Sequence, residues 1–461
     1  MKDARDLLIY RDFGEDGKAL KSILGILEDL TEDDDDFEDF DPYEDEVDPD
    51  DYSYLREDFY SALGQIVTLA SRYGLSGNLW HNYITYLIVN HENPYSLACE
   101  RNSAPSGSLY SIAEHDFAIL KDLFDYPMGE LADLFEADIM MTVGNYRSSD
   151  GEGRFFNDVV RTRISELSKQ LAMSGSVSEF QDAVTVFYVN TGVGDIGLHK
   201  AFRVSREMVF EESYDDELRP ATREVLLRPM EKVAPIFMDE LIGYDSQKKT
   251  LIENTEAFVE GHPANNCLLY GEAGTGKSTS VKALMNTYYE KGLRVIELYK
   301  HQVKDLSTIL SVIRKRNYRF IIFMDDLSFE DFEVEYKYLK AVIEGGLEER
   351  PSNVLIYATS NRRHLIKETF ADRTDYDPDM HISETQEEKV SLFSRFGLRI
   401  RFGSPEKKEF EDIVLGLAER YGVDMDKDKL LTQANAWEIA NGGFSGRCAR
   451  QFIDSVLALE K

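Results

Sequence analysis

The sequence predicts an α/β protein in which a five-stranded parallel sheet is preceded by a mainly helical region and followed by helices. From about residue 241, short apolar runs of strand length alternate with helical segments. The periodicity is helical before that point and again after residue 404. A glycine-rich segment directly follows the first apolar run, as expected where a strand turns into a helix. The predicted strands are residues 267–270, 294–299, 320–324, 353–358 and 398–402.

Composition restricts the classes of function. The chain has 461 residues, which suggests two or three domains, and a formal net charge of −34. That charge argues against general affinity for duplex nucleic acid, because such binding depends on Lys and Arg neutralising phosphates. Three widely separated cysteines give no disulfide framework or metal site and fit a reducing compartment. No secretory signal or bilayer-length apolar run of ~20 residues is found, so we expect a cytoplasmic protein without a membrane partner.

The part of the chain before the sheet divides into three segments. In residues 1–31, the spacing of apolar side chains predicts one or two amphipathic helices broken near Gly14 to Gly17. Residues 32–52 are acidic, with two prolines and no Lys or Arg, which predicts a flexible linker; docking of a partner on its aromatic residues stays open. Residues 53–238 predict a mainly helical domain, in which no catalytic constellation is visible.

Residues 271–278, GEAGTGKS, fit the phosphate-loop pattern G-x-x-x-x-G-K-[ST] at every fixed position. An apolar run precedes the motif and helical spacing follows it, which is the context that the pattern requires. The glycines allow positive φ and close approach to phosphate. Lys277 would reach the β- and γ-phosphates, and the Ser278 hydroxyl would ligate Mg²⁺. The nucleotide-binding residues predicted in this segment are Gly271, Gly274, Thr275, Gly276, Lys277, Ser278 and Thr279.

Polar side chains follow two later strands of the predicted sheet. The third apolar run ends in Asp325 and Asp326, and an acid at the carboxyl end of a strand holds Mg²⁺ in P-loop enzymes. Asp325 would hold the metal mostly through water, and Asp326 would orient or deprotonate the attacking water. Asn361 follows the fourth run, where its amide would contact the γ-phosphate or that water. The sequence therefore predicts ATP and Mg²⁺ as ligands.

The order of these motifs resembles that of the AAA+ ATPases across roughly residues 239–461. The resemblance implies an ATPase core at 239–403, a helical lid at 404–461 and a ring of identical subunits. It places Ile242 and Gly243, in DELIGY, on the adenine side of the nucleotide. It makes Asn361 the first sensor, Arg395 in SRFG an arginine finger offered to a neighbouring subunit, and Arg447 in SGRCAR the second sensor.

Several sequence segments of the chain are similar to one narrower family, called domain of unknown function 815. The similar segments are IGYDSQKKTLIENTEAFVEG, FMDDLSFE, YATSNRRHL, SRFGL and, near the N-terminus, ENPYSLACER. The likeness is expected over most of the chain and brings no known substrate. AAA+ proteins usually carry Asp-Glu after the metal-binding strand, whereas this chain has Asp325-Asp326. The shorter second carboxylate favours slow hydrolysis.

These observations favour an ATPase that hydrolyses ATP to ADP and phosphate and remodels an unknown protein partner. One alternative is an ATP-gated binding or scaffold module with little turnover, which the second aspartate favours slightly. Another is a DNA-associated loader, which rests on analogy of fold and is opposed by the negative charge. The sequence gives neither the partner nor the ring size.

Overall fold

The computed structural model describes residues 4–35, 53–101, 105–148, 157–212, 218–329, 335–344, 351–361 and 392–459. The chain forms two compact units, Met1–His199 and Lys200–Lys461. The second unit therefore begins earlier than residue 239, where the sequence placed the start of the ATPase core. None of the helices in the described ranges combines the length and apolar character that crossing a bilayer requires.

The regular elements of the first unit are helices in its described residues, apart from one isolated bridge between Gly77 and Tyr146. Its helices are α1 (Lys18–Asp35), α2 (Ser53–Tyr73), α3 (Leu79–Asn90), α4 (Pro94–Glu100), α5 (Ser108–Phe124), α6 (Met128–Leu134), α7 (Met140–Gly144), α8 (Asp158–Ala172), α9 (Val177–Asn190) and α10 (Gly194–Leu198). Several begin at side-chain caps; Asn93, for example, forms a capping box with Ser96 ahead of Pro94. The predicted helical character of this region is confirmed.

One hydrophobic core joins the N-terminal segment to the rest of the first unit. Tyr10 and Ile23 are fully buried in the same cluster as residues of α3, α5 and α9. The buried Asp116 carboxylate accepts hydrogen bonds from the backbone N–H groups of Leu8, Ile9 and Tyr10. Helix α1 continues to Asp35, so the first residues of the predicted acidic linker are helical, and residues 36–52 lie outside the described residues.

The second unit is built on a sheet with seven strands in its described residues, in the order β2-β1-β4-β5-β6-β3-β7. The strands are β1 (Ala201–Glu212), β2 (Leu218–Pro229), β3 (Cys267–Gly271), β4 (Leu293–Glu297), β5 (Arg319–Met324), β6 (Val354–Ser360) and β7 (Leu398–Phe402). Strands β3 to β7 are mutually parallel, and each matches a predicted strand to within two residues at each end. The five-stranded parallel core is confirmed.

Strands β1 and β2 were not predicted and lie within residues 53–238, whose other regular elements are helical as expected in the described residues. They form an antiparallel hairpin, and Ala201 to Arg203 extend the sheet by pairing in parallel with β4. Charged residues recur along β1 and interrupt the apolar alternation by which a strand is recognised. Arg206 pairs with Asp305, which ends a short helical turn after β4, and Glu207 pairs with Arg228 of β2, so each of these charges has a partner.

Helices cover the sheet and then form a separate C-terminal cluster. Those around the sheet are α11 (Asp245–Val259), α12 (Lys277–Tyr288), α13 (Leu306–Ile313) and α14 (Glu335–Glu344). Those of the lid are α15 (Lys407–Tyr421), α16 (Lys427–Asn441) and α17 (Gly446–Leu459). The lid has its own core, in which Phe410, Val414 and Ile453 are fully buried. The three predicted lid helices are confirmed.

Candidate nucleotide-binding site

The predicted site residues lie at the carboxyl edge of three neighbouring parallel strands. Residues 271–278 join β3 to α12, Asp325 and Asp326 follow β5, and Asn361 follows β6. Because β6 lies between β5 and β3, the ends of these strands converge. This edge is where open α/β sheets bind their ligands.

The loop after β3 curls through glycines at positive φ. Gly271 has φ 133° and Gly274 has φ 74°, a region that other residues rarely adopt. A Cβ on Gly271 would lie 2.0 Å from the backbone oxygen of Phe402, and one on Gly274 would lie 2.9 Å from Cβ of Arg447. The end of β7 and the start of α17 therefore touch the loop, and only glycine fits. A concave loop that opens a helix is the cradle that phosphate requires, so the residues present fit a nucleotide.

Lys277 is the first residue of α12, at the end of the loop, and is 5% exposed. Its Nζ donates hydrogen bonds to the backbone oxygens of Gly271 at 3.0 Å and Glu272 at 2.6 Å, and to Oδ1 of Asn361 at 2.9 Å. Burial lowers the pKa of Lys277, and the negative charge of Asp326 opposes that shift. The lysine thus joins the loop after β3 to Asn361, which directly follows β6.

Two hydroxyl groups converge on one oxygen of Asp325. Ser278 Oγ donates to Asp325 Oδ1 at 2.5 Å, and Thr359 Oγ1 donates to the same atom at 2.6 Å. Hydroxyl and carboxylate oxygens are the ligands that Mg²⁺ prefers. Ser278 and Asp325 therefore fit the metal that the sequence predicts at this place.

Asp326 adopts a left-handed backbone conformation, with φ 51°. Its backbone N–H donates to Thr359 Oγ1 at 2.9 Å, and Asn361 Nδ2 donates to its Oδ1 at 2.8 Å. Asn361 therefore bridges the carboxylate of Asp326 and the ammonium of Lys277. The structure brings together Lys277, Ser278, Asp325, Asp326 and Asn361 in one hydrogen-bonded network.

The predicted adenine-side segment lies between the sheet and the lid. A Cβ on Gly416 of α15 would lie 2.6 Å from Cδ1 of Ile242, so Ile242 packs closely against the lid. Gly243 has φ 78°, and the hydroxyl of Tyr244 donates to the backbone oxygen of Gly403 at 2.8 Å. This segment contacts the residue that links β7 to the lid, a position suited to a ligand held between core and lid.

The two predicted arginines occupy different surroundings. The backbone N–H of Arg447 donates to the oxygen of Gly274 at 3.0 Å, which places the first turn of α17 on the phosphate loop. The Arg447 side chain is exposed. Arg395 is also exposed and lies just before β7, the edge strand of the sheet. The roles of both side chains stay predictions.

Sequence reasoning assigned no role to Thr359, which contacts both acidic residues. A signal was present, because Thr359 and Asn361 are two residues apart and successive strand residues alternate between faces.

The class of protein follows from four features of the second unit. These are the phosphate loop after β3, the acid after β5, the parallel order β4-β5-β6-β3-β7 and the helical lid, which together define an AAA+ P-loop ATPase. The chain belongs to the family described as "Protein of unknown function (DUF815)", whose model matches residues 216–459. The likeness predicted from ENPYSLACER lies outside the matched residues.

Similarity to other proteins is local. A stretch of 68 residues is 37% identical to the replication factor C large subunit of Staphylothermus marinus and covers 14% of this chain and 15% of that protein. The corresponding subunit of Methanococcus maripaludis is 33% identical over 84 residues, which is 18% of this chain and 17% of the relative. The chain thus spans less than a fifth of the length of these relatives.

Solved structures of RuvB from Thermotoga maritima are similar over about half of this chain. The RuvB Holliday junction branch migration motor has 16% identity and a TM-score of 0.31, covering 48% of this chain and 71% of that chain. A RuvB variant has 18% identity and a TM-score of 0.35, covering 50% and 68%. The fold class follows from the strand order and phosphate loop of this chain itself.

Proposed function

We propose that this protein binds Mg-ATP, hydrolyses it to ADP and phosphate, and uses the cycle to remodel a protein partner. The observation that carries the proposal is the hydrogen-bonded network joining Lys277, Ser278, Asp325, Asp326 and Asn361 at the end of the phosphate loop. A loop of this pattern, a lysine, a hydroxyl and paired acids are the parts that P-loop ATPases require.

The side chains divide the chemistry between phosphate, metal and water. The ammonium of Lys277 would hold the β- and γ-phosphates in a buried position where its charge acts strongly. Ser278 and Asp325 would hold Mg²⁺, which when bound neutralises the negative charge of the phosphates. The Asp326 carboxylate would accept a hydrogen bond from the attacking water, and Asn361 fixes that carboxylate through its amide.

The start of the lid touches the phosphate loop, which provides a route from nucleotide to movement. Arg447 donates its backbone N–H to Gly274, so a shift of the loop displaces the first turn of α17. Ile242 and Gly243 would contact the adenine between core and lid, and Thr275 and Thr279 would complete the loop. We further propose that the Arg447 side chain senses the phosphates and that Arg395 reaches the nucleotide of a neighbouring subunit in a homo-oligomeric ring.

A second candidate is an ATP-gated binding module with little turnover. The observation that favours it is Asp326, a short carboxylate on a left-handed backbone that is tied to Asn361. In this case the bound nucleotide would hold the lid in one position and the protein would grip its partner without rapid cycling. Turnover separates the two candidates.

The test combines nucleotide binding and hydrolysis in matched variants. Lys277→Met removes the buried ammonium, and Lys282→Met removes an exposed lysine of the same helix as a control. Asp326→Asn keeps the shape of the side chain but removes its charge. We expect Lys277→Met to lose Mg-ATP binding, Asp326→Asn to bind Mg-ATP without turnover, and Lys282→Met to match wild type.

The binding and turnover results decide between the candidates. Equal Mg-ATP affinity in wild type and Lys277→Met would refute the proposed site. Tight binding by wild type with negligible turnover at every protein concentration would establish the gated module instead.

A further inference from the structure

Thr359 occupies the centre of the carboxyl edge of the sheet. It lies in β6, which pairs with β5 on one side and with β3 on the other, where its register partner is Leu269. The residue is 2% exposed. Its side chain is therefore held among strands that supply both the phosphate loop and the acidic residues.

Three hydrogen bonds join Thr359 to the turn after β5. Its Oγ1 donates to Oδ1 of Asp325 at 2.6 Å and accepts from the backbone N–H of Asp326 at 2.9 Å. Its backbone oxygen accepts from the N–H of Leu327 at 2.7 Å. One hydroxyl acts as donor to the first acid and acceptor from the second, which fixes the direction of its single proton.

The turn needs such a partner because its backbone is unusual. Asp326 has φ 51°, and a residue other than glycine persists in that region only where its surroundings fix it. Asn361 holds the side chain of Asp326, and Ser278 contacts the side chain of Asp325. Within the described residues, the Thr359 hydroxyl alone is hydrogen-bonded to both acids.

We propose that Thr359 is a positioning residue that sets the Asp325 carboxylate towards Mg²⁺ and the Asp326 carboxylate towards the attacking water. This inference rests on the proposed ATPase function. Residues that orient a metal ligand typically change metal affinity or activity by about 10–100-fold when they are replaced. Thr359 acts through the two acids rather than by contact with the nucleotide.

Removal of the hydroxyl tests the inference without changing the size of the side chain. Thr359→Val removes the hydroxyl, and Thr359→Ser keeps it while removing the methyl group. Thr255→Val is the matched control, because Thr255 is a fully buried threonine of the same unit whose hydroxyl bonds Leu251 and Tyr357, outside the site network. Thr359→Ala, which also lacks the hydroxyl, is measured in parallel. The test then requires only that one of the two hydroxyl-free variants folds with a native thermal transition.

The readout is the Mg²⁺ concentration that gives half-maximal binding of a fluorescent, non-hydrolysable ATP analogue. For Thr359→Val we expect this concentration to rise about 10–100-fold, with unchanged affinity for the analogue in EDTA. Thr359→Ser should restore the wild-type Mg²⁺ dependence, and Thr255→Val should retain it. Where turnover is measurable, kcat should fall in Thr359→Val while KM for ATP at saturating Mg²⁺ changes little.

Two results would overturn the inference, and they differ from failure of the proposed function. Wild-type Mg²⁺ dependence in the hydroxyl-free variants, or equal impairment of Thr359→Ser and Thr359→Val, would show that the hydroxyl does not position the acids. Failure of the wild-type protein to bind the analogue at any Mg²⁺ concentration would refute the nucleotide site itself and this inference with it.

Discussion

Replacing Asp326 by glutamate tests why this chain carries a second aspartate after β5. Side-chain reach alone predicts that glutamate, with one more methylene, would speed hydrolysis. The structure gives a different reason for aspartate, because residue 326 is left-handed, with φ 51°. Among residues with a Cβ, aspartate and asparagine enter that region most readily, since their short polar side chains bond locally.

The expected size of the effect follows from the backbone. The left-handed region costs an ordinary L-residue about 1–2 kcal/mol, and 1.36 kcal/mol corresponds to a tenfold rate change. When glutamate at position 326 has to adopt the left-handed backbone for catalysis and this full free-energy cost adds to the activation barrier, Asp326→Glu lowers kcat by about 5- to 30-fold. The longer side chain also displaces the carboxylate from Asn361, whose amide now lies 2.8 Å from it.

The assay is kcat at saturating Mg-ATP together with the thermal midpoint of the nucleotide-free protein. Asp326→Asn is the control, because asparagine tolerates the same backbone and lacks only the charge. We expect Asp326→Glu to lower both quantities and Asp326→Asn to lower only kcat. A faster Asp326→Glu variant with an unchanged midpoint would refute the backbone argument and restore the argument from reach.

Three further predictions concern the loop, the first unit and nucleic acid. Gly271→Ala should lower the thermal midpoint strongly, because its Cβ would lie 2.0 Å from a backbone oxygen at φ 133°, whereas Gly403→Ala, with open space around its Cβ, should have little effect; similar midpoints would contradict this. Burial lowers the pKa of His81, which stacks on Phe124. Because the unfolded chain therefore binds the proton first, we predict that the first unit loses stability as pH falls through 6.5. His81→Phe should reduce that loss in melts across this pH range, and an unchanged or steeper loss would count against the assignment. A labelled DNA duplex should show no anisotropy change at physiological salt, given the net charge of −34, and saturable binding that weakens steeply with salt would revive the loader alternative.

Local sequence patterns were sufficient to predict the phosphate loop, the five parallel strands and the lid helices. The loop GEAGTGKS is recognisable because each fixed residue meets a requirement of phosphate binding. Strands β3 to β6 are short and mostly buried, so their apolar runs stand out between helical segments, and β7 alternates apolar residues with arginine. The lid helices place apolar residues at helical spacing around buried positions such as Phe410 and Ile453.

The remaining features depend on contacts between distant segments. The hairpin of β1 and β2 was missed because Arg206 and Glu207 are charged and find partners in Asp305 and Arg228 only once the sheet is formed. The left-handed backbone of Asp326 cannot be predicted from its residue type, since most aspartates have a right-handed helical or extended backbone. The hydrogen bonds of Thr359 to the turn after β5 form only once β5 pairs with β6, so its alternation with Asn361 indicates a shared face but not these partners.

The most direct measurement is steady-state ATPase activity over a range of protein concentrations, with Arg395→Ala beside wild type. Arg399→Ala, at another exposed arginine four positions along the chain, is the matched control. We predict that wild-type specific activity rises with concentration and that Arg395→Ala binds Mg-ATP but loses turnover, since an arginine offered in trans can contribute ~10³–10⁵ in rate. Absence of Mg-ATP binding and of hydrolysis at every concentration would contradict the central claim.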